Sequence, residues 1–238
     1  MINKDSKQEL DEVVAQAALQ QTESQKQAQA LAPGAAQQQD KPSFVKVSPF
    51  NDYRLEGLKM DPPKELCPHI LVEHETTILF SGPGVGKTAL ATQIAFELAE
   101  QGMRVLVVNF ELSQQQLALR YPNKEFPNTL YHASIDYTKM HDVTDQNLIL
   151  PEIERLAVER NIELIIIDNF TNLCINSKEA AEAGNIMVKL LAMRMTHNWT
   201  MLILAHVPKR KQGDPLTIDD LAGSKLLSNL ADNVIGFN

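Results

Sequence analysis

The chain has 238 residues, 44% of them hydrophobic, enough to bury one sizeable α/β core with residues left over for a tail. A formal net charge of −8 gives no global attraction to nucleic acid, so any such contact must come from a local basic patch. The two cysteines, Cys67 and Cys174, are far apart and lack CxxC spacing, which argues against a disulfide framework or a zinc site.

Residues 1–40 hold ten Gln and eight Ala and no aromatic residue. They lack the basic-then-apolar layout of a signal peptide, and nowhere does the chain carry the run of about 18 apolar residues that a membrane span needs. A soluble, cytoplasmic protein with no membrane partner is expected. Leu10, Val13, Val14, Ala17, Ala18 and Leu19 leave a weak helical stripe, so the tail reads as disordered or marginally helical up to Pro33-Gly34. Residues 41–74, punctuated by Pro42, Pro49, Pro62, Pro63 and Pro68, read as an irregular proline-rich lead-in laid over the core. Phe50, Tyr53 and Leu58 are expected to pack there, with an adenine contact as the alternative.

From residue 75 to 238 apolar strands alternate with helical stretches. Thr77–Phe80 leads into Ser81-Gly82-Pro83-Gly84-Val85-Gly86-Lys87-Thr88, and then into a helix to about Gln101 with Leu90, Ile94 and Leu98 on one face. Strand, glycine-rich turn and helix together form a phosphate-binding loop. Glycines let backbone N–H groups converge on an anion, the helix N-terminus adds its dipole, Lys87 reaches the phosphates, and Thr88 offers a hydroxyl to Mg²⁺. The strict pattern has glycine where Ser81 stands, so either Ser81 takes that place or the loop is one residue tight. The candidate nucleotide-binding set is Ser81, Gly82, Pro83, Gly84, Val85, Gly86, Lys87, Thr88 and Ala89.

Further strands are expected at Met103–Phe110, Leu130–Ile135, Glu163–Asp168, Trp199–His206 and Asn233–Phe237. Helices are expected after Ser113, after Pro151 with Ile153, Leu156 and Ala157 inward, and over Lys178–His197. This alternation predicts an α/β fold with a mostly parallel central sheet and helices on both faces. Ligands in such sheets bind beyond the carboxyl ends of the strands.

Candidate catalytic residues stand at those ends. Asp168 closes an apolar strand, where a Mg²⁺-supporting carboxylate belongs, and the next residue is Asn169 rather than a second acid. Glu111, just past Met103–Phe110, is placed to accept a proton from an attacking water; the plainer reading is an acid near the start of a helix. His206 would read the γ-phosphate as a neutral donor, or else be a core histidine. Lys209, Arg210 and Lys211 form the dense basic cluster of the chain, a candidate nucleic-acid contact or simply a solvated loop.

In order, SGPGVGKT, Asn109-Phe110-Glu111-Leu112-Ser113, the Asp168 strand, His206-Val207-Pro208-Lys209 and Leu221-Ala222-Gly223-Ser224-Lys225 resemble the RecA-like core of hexameric replicative helicases of the DnaB type. Within that group they are most similar to the plasmid RepA-type branch. The resemblance covers residues 70–238. It implies a P-loop ATPase using ATP and Mg²⁺, with Lys87 and Thr88 on phosphate and metal, Asp168 supporting the metal, Glu111 as base and His206 as γ-phosphate sensor. It also implies a homo-oligomeric ring or filament, with single-stranded DNA at the loop after His206, acting in replication or maintenance of a mobile element. Such enzymes carry an arginine finger beyond the last core strand. Here that element is read as missing, so that Lys225, Lys209 or Arg210 would have to act in its place. An ATP-controlled switch without unwinding and an inactive fragment are the competing readings.

Overall fold

The computed structural model describes residues 45–139, 148–174, 180–207, 216–221 and 224–237. The chain divides into two compact units, residues 1–62 and 63–238. In the described part of the first, helix α1 (Phe50–Leu58) starts directly after Pro49, whose φ of −54° suits a helix entry. The lead-in is therefore not irregular throughout: Pro49 and Pro62 bracket a proline-free window long enough for a short helix. Within this unit α1 buries no residue, and Phe50 and Tyr53 are 84% and 68% exposed.

The second unit opens with an antiparallel pair, β1 (Glu65–Cys67) and β2 (Leu71–Val72). Then come β3 (Thr76–Ser81), α2 (Lys87–Glu100), β4 (Val105–Asn109), α3 (Gln114–Arg120), β5 (Leu130–Ser134) and α4 (Ile149–Glu159). They are followed by β6 (Leu164–Asp168), a short α5 (Phe170–Leu173), α6 (Ala180–His197), β7 (Thr200–His206), α7 (Ser224–Leu230) and β8 (Asn233–Gly236). Single 3₁₀ turns lie at Tyr137–Lys139 and Ile218–Asp220. The six-stranded sheet has the order β5-β4-β6-β7-β3-β8, and each of its described pairings is parallel.

Strands buried on both faces explain the near-continuous apolar runs of the sequence. Leu79, Leu164, Ile166, Leu202 and Leu204 pack with Ala91, Ile94, Ala95 and Leu98 of α2 on one side. Their alternate neighbours, Ile78, Ile165, Ile167, Met201 and Ile203, pack with Ile153 of α4 and Met187 and Leu190 of α6 on the other. Helices thus cover both faces, and each fully buried Ile or Leu contributes about 1.5–3 kcal/mol. The inner face of α4 is Leu150, Ile153 and Ala157, while Leu156 is only half-buried.

Register sets the working edge. Asn109 is level with Asp168, Asp168 with Leu204, and Ser81 with His206. At the opposite edge, Asp232 anchors the start of β3. Its Oδ2 accepts from the buried Thr76 N–H at 2.8 Å and lies 3.6 Å from the Arg194 guanidinium, which also donates to the His74 carbonyl. Asp232→Ala leaves the Thr76 N–H without an acceptor and should cost about 1–3 kcal/mol in urea unfolding, whereas Asp232→Asn, which keeps an acceptor, should lose less.

Candidate active site

β3 delivers the chain into a turn that needs glycine. Gly84 and Gly86 have φ of 78° and 109°, the left-handed region that other residues enter only under strain. Gly86 is also the N-cap of α2, and no side chain caps this helix end. The first N–H groups of a helix have no partner within it, so those of Lys87, Thr88 and Ala89 are left for an anion. Ser81 sits at the strand end, wholly buried, and takes the place where the strict pattern has glycine.

Lys87 is 5% exposed and folds back on this loop. Its ammonium donates to Ser81 O at 2.8 Å, to Gly82 O at 2.9 Å and to Ser81 Oγ at 3.1 Å. Burial pulls its pKa below the usual lysine range, and the charges of Asp168 and Glu111 oppose that pull. Asp168, 3% exposed at the end of β6, is pushed up by burial, while a hydrogen bond from the Thr88 hydroxyl pulls the other way. A hydroxyl and a carboxylate already in contact are hard oxygen donors suited to Mg²⁺, which ordinarily takes one or two protein ligands and fills its octahedron with phosphate and water.

Glu111 follows β4 on a turn held from below. The Asn109 side chain, buried, accepts from both Glu111 N and Leu112 N at 2.8 Å, and Phe110 N donates to Asp168 O at 2.8 Å. Ser113 then starts α3 with a capping box: Gln116 N donates to its Oγ at 3.2 Å, and Ser113 N to Gln116 Oε1 at 2.9 Å. The carboxylate of Glu111 reaches across to β7, where His206 Nε2 lies 3.2 Å from Oε1, and the same Oε1 accepts from Asn169 Nδ2. Glu111, Asp168, His206, Lys87 and Thr88 are thus brought together at one sheet edge. Lys209, Arg210 and Lys211 lie outside the described residues.

Two residues that hold the site together escape sequence reasoning. Asn109 forms the turn that aims Glu111, a role an Asn two residues before the acid signals through its tendency to bond the backbone two residues on. Asn169 holds Glu111 although it reads in sequence only as a missing acid. Beside Thr88 and Asp168 a largely apolar cavity of about 150 Å³ opens among α2, β4 and α3, with Leu112, Leu117, Phe126 and Tyr131 in its wall.

A family model described as an AAA domain matches residues 41–212. The DNA repair protein RadA of Synechocystis sp. is 30% identical over 172 residues, 67% of this chain and 32% of that protein. RadA of Campylobacter jejuni is 27% identical over 174 residues, 70% of this chain and 34% of that protein. The chain spans about a third of the length of these curated relatives. Among solved structures, a KaiC-like protein from Pyrococcus horikoshii OT3 shares the fold with a TM-score of 0.54 at 18% identity, over 69% of this chain and 71% of that one.

Because the Asp168 pKa is raised, its charge costs the folded state stability above that pKa, and the cost vanishes as pH falls through it. Asp168→Asn should therefore raise the melting midpoint of the nucleotide-free protein at neutral pH, by roughly 2–4 °C if the gain is about 1 kcal/mol. That gain should fade in acid, which midpoints measured across pH will check.

Proposed function

We propose that the chain, a member of the AAA domain family, is a RecA-like P-loop ATPase and the motor core of a Mg²⁺-dependent assembly acting on single-stranded DNA. The observation that carries this reading is the convergence of Lys87, the Thr88–Asp168 pair and the Glu111–His206 pair on one carboxyl edge. The turn at Gly84 and Gly86, the N-terminus of α2 and Lys87 bind and orient the ATP phosphates. Thr88 and Asp168 would hold a Mg²⁺ ion, which would supply screening of the phosphate charge. Glu111 takes the proton of the attacking water; its Oε1 holds both protein hydrogen bonds, and none of the described residues bonds Oε2. His206, joined to Glu111 and level with Ser81, senses the terminal phosphate and passes its loss to the basic residues Lys209, Arg210 and Lys211 that follow it in sequence.

We propose a ring or filament, with hydrolysis between subunits, as in the DnaB-type and RepA-type helicases that the motifs resemble. The name DNA repair protein borne by the RadA relatives favours a process broader than replication, namely DNA maintenance that includes repair.

ATP turnover measured with and without single-stranded DNA, alongside sizing of the complex, tests the reading. DNA should stimulate turnover, and Glu111→Gln should lower it about 100-fold or more with ATP binding retained. Turnover indifferent to DNA, or unchanged in that variant, would sink the motor assignment; ATP-dependent partner binding with negligible turnover would mark a switch. Replacing Lys209, Arg210 and Lys211 by Gln should weaken DNA binding and lower its salt slope by roughly 0.7 for each phosphate that is no longer neutralised.

A further inference from the structure

We propose that Asn169 is a positioning residue for the base: it holds the carboxylate of Glu111, with His206, in the orientation that proton abstraction requires. This rests on the reading of Glu111 as the base. Asn169 is 1% exposed and stands at the N-cap of α5, one residue past Asp168. Its side-chain amide has two ends, and each has a partner. Oδ1 accepts from the Asn172 N–H at 3.3 Å, while Nδ2 donates to Glu111 Oε1. A flipped amide would set its oxygen against a carboxylate oxygen and its NH₂ against an N–H, so the two partners together fix which end faces Glu111.

The consequence for Glu111 is geometric. The side chain is 40% exposed, and the long, flexible stem of a glutamate would otherwise sample several rotamers. Its backbone is tied down by Asn109 and by the Phe110–Asp168 hydrogen bond, but those contacts do not reach the carboxylate. Asn169, just past the end of β6, and His206, at the end of β7, do, and both act on Oε1. Two donors on one oxygen fix the plane of the carboxylate and leave Oε2 as the oxygen without a bond among the described residues. For this arrangement His206 must carry its proton on Nε2; its buried Nδ1 has no partner among the described residues. The residue following Asp168 thus has a task that an acid there could not perform. A carboxylate at 169 would face the Glu111 carboxylate and repel it.

The N-cap and the clamp can be separated by substitution. Ser and Asp both cap helices, so Asn169→Ser and Asn169→Asp keep an acceptor for Asn172 while removing the donor to Glu111. Ala removes both. If Asn169 only caps α5, the Ser and Asp variants turn over ATP like the parent. If it positions the base, Asn169→Ser loses roughly tenfold to a hundredfold in kcat with Kd for a fluorescent ATP analogue nearly unchanged, because the phosphate-binding groups are untouched. Asn169→Asp loses more. In the Glu111→Gln background, Asn169→Ser has no further effect on turnover. Parent-like kcat in Asn169→Ser and Asn169→Asp, with Glu111→Gln inactive, overturns this proposal alone. Parent-like turnover in Glu111→Gln overturns the reading of the base and the positioning role together.

Discussion

Parallel register at the carboxyl edge of the sheet is the constraint on which the site depends. β4, β6, β7 and β3 lie side by side, and their pairing sets Asn109 level with Asp168, and Ser81 level with His206, two residues beyond the Leu204 that Asp168 faces. A slip of one residue in any of these strands would turn its end residue to the other face. The fully buried β-branched and leucine side chains of β3, β6 and β7 prevent such a slip, because both faces of each strand are packed. Core packing and the geometry of the candidate site are therefore two descriptions of one arrangement. Residues that meet no ligand, such as Ile166 and Leu204, decide where Asp168 and His206 stand.

Much of this was legible in the sequence, for identifiable reasons. Apolar runs bounded by glycine, serine and acid report strand and helix directly, so the alternation, the turn at Gly84–Gly86 and the end positions of Glu111, Asp168 and His206 could be located from spacing. What was not legible depends on contacts between distant segments or on local windows too short to carry a period. α1 lies in a stretch dominated to the eye by its flanking prolines. α5 and α7 are too short to show an amphipathic repeat. Asn109 has a local signal, its offset from Glu111, which a search for acids and bases passes over. Asn169 has none: that its amide meets a carboxylate from another strand follows only from the β4–β6 pairing.

The site also shows how charge is tolerated in a dry place. Lys87 and Asp168 are both buried, and burial shifts each pKa toward the neutral form. Neither group is left bare. Lys87 is surrounded by three oxygen acceptors and Asp168 by the Thr88 hydroxyl, and each charge moderates the other's shift. Such a pair adds little to the stability of the fold, since desolvation offsets most of the attraction. Its presence there is better explained by what the two groups are ready to contact.

Ser81, the residue that breaks the glycine pattern, bears on how Lys87 can move. Three oxygens hold the ammonium in place, and an anion arriving in the loop must compete with all of them. Ser81 O, however, also accepts from Val207 N at 3.3 Å, and Gly82 O also accepts from the Ser81 hydroxyl at 3.2 Å. Each carbonyl that the lysine abandons keeps a second donor, so swinging the ammonium toward a phosphate orphans neither backbone carbonyl and removes a donor only from the Ser81 hydroxyl, which still donates to Gly82 O. A glycine at 81 would take away the hydroxyl that covers Gly82 O. The apparent defect in the motif supplies a resting place whose backbone carbonyls stay paired when the lysine leaves.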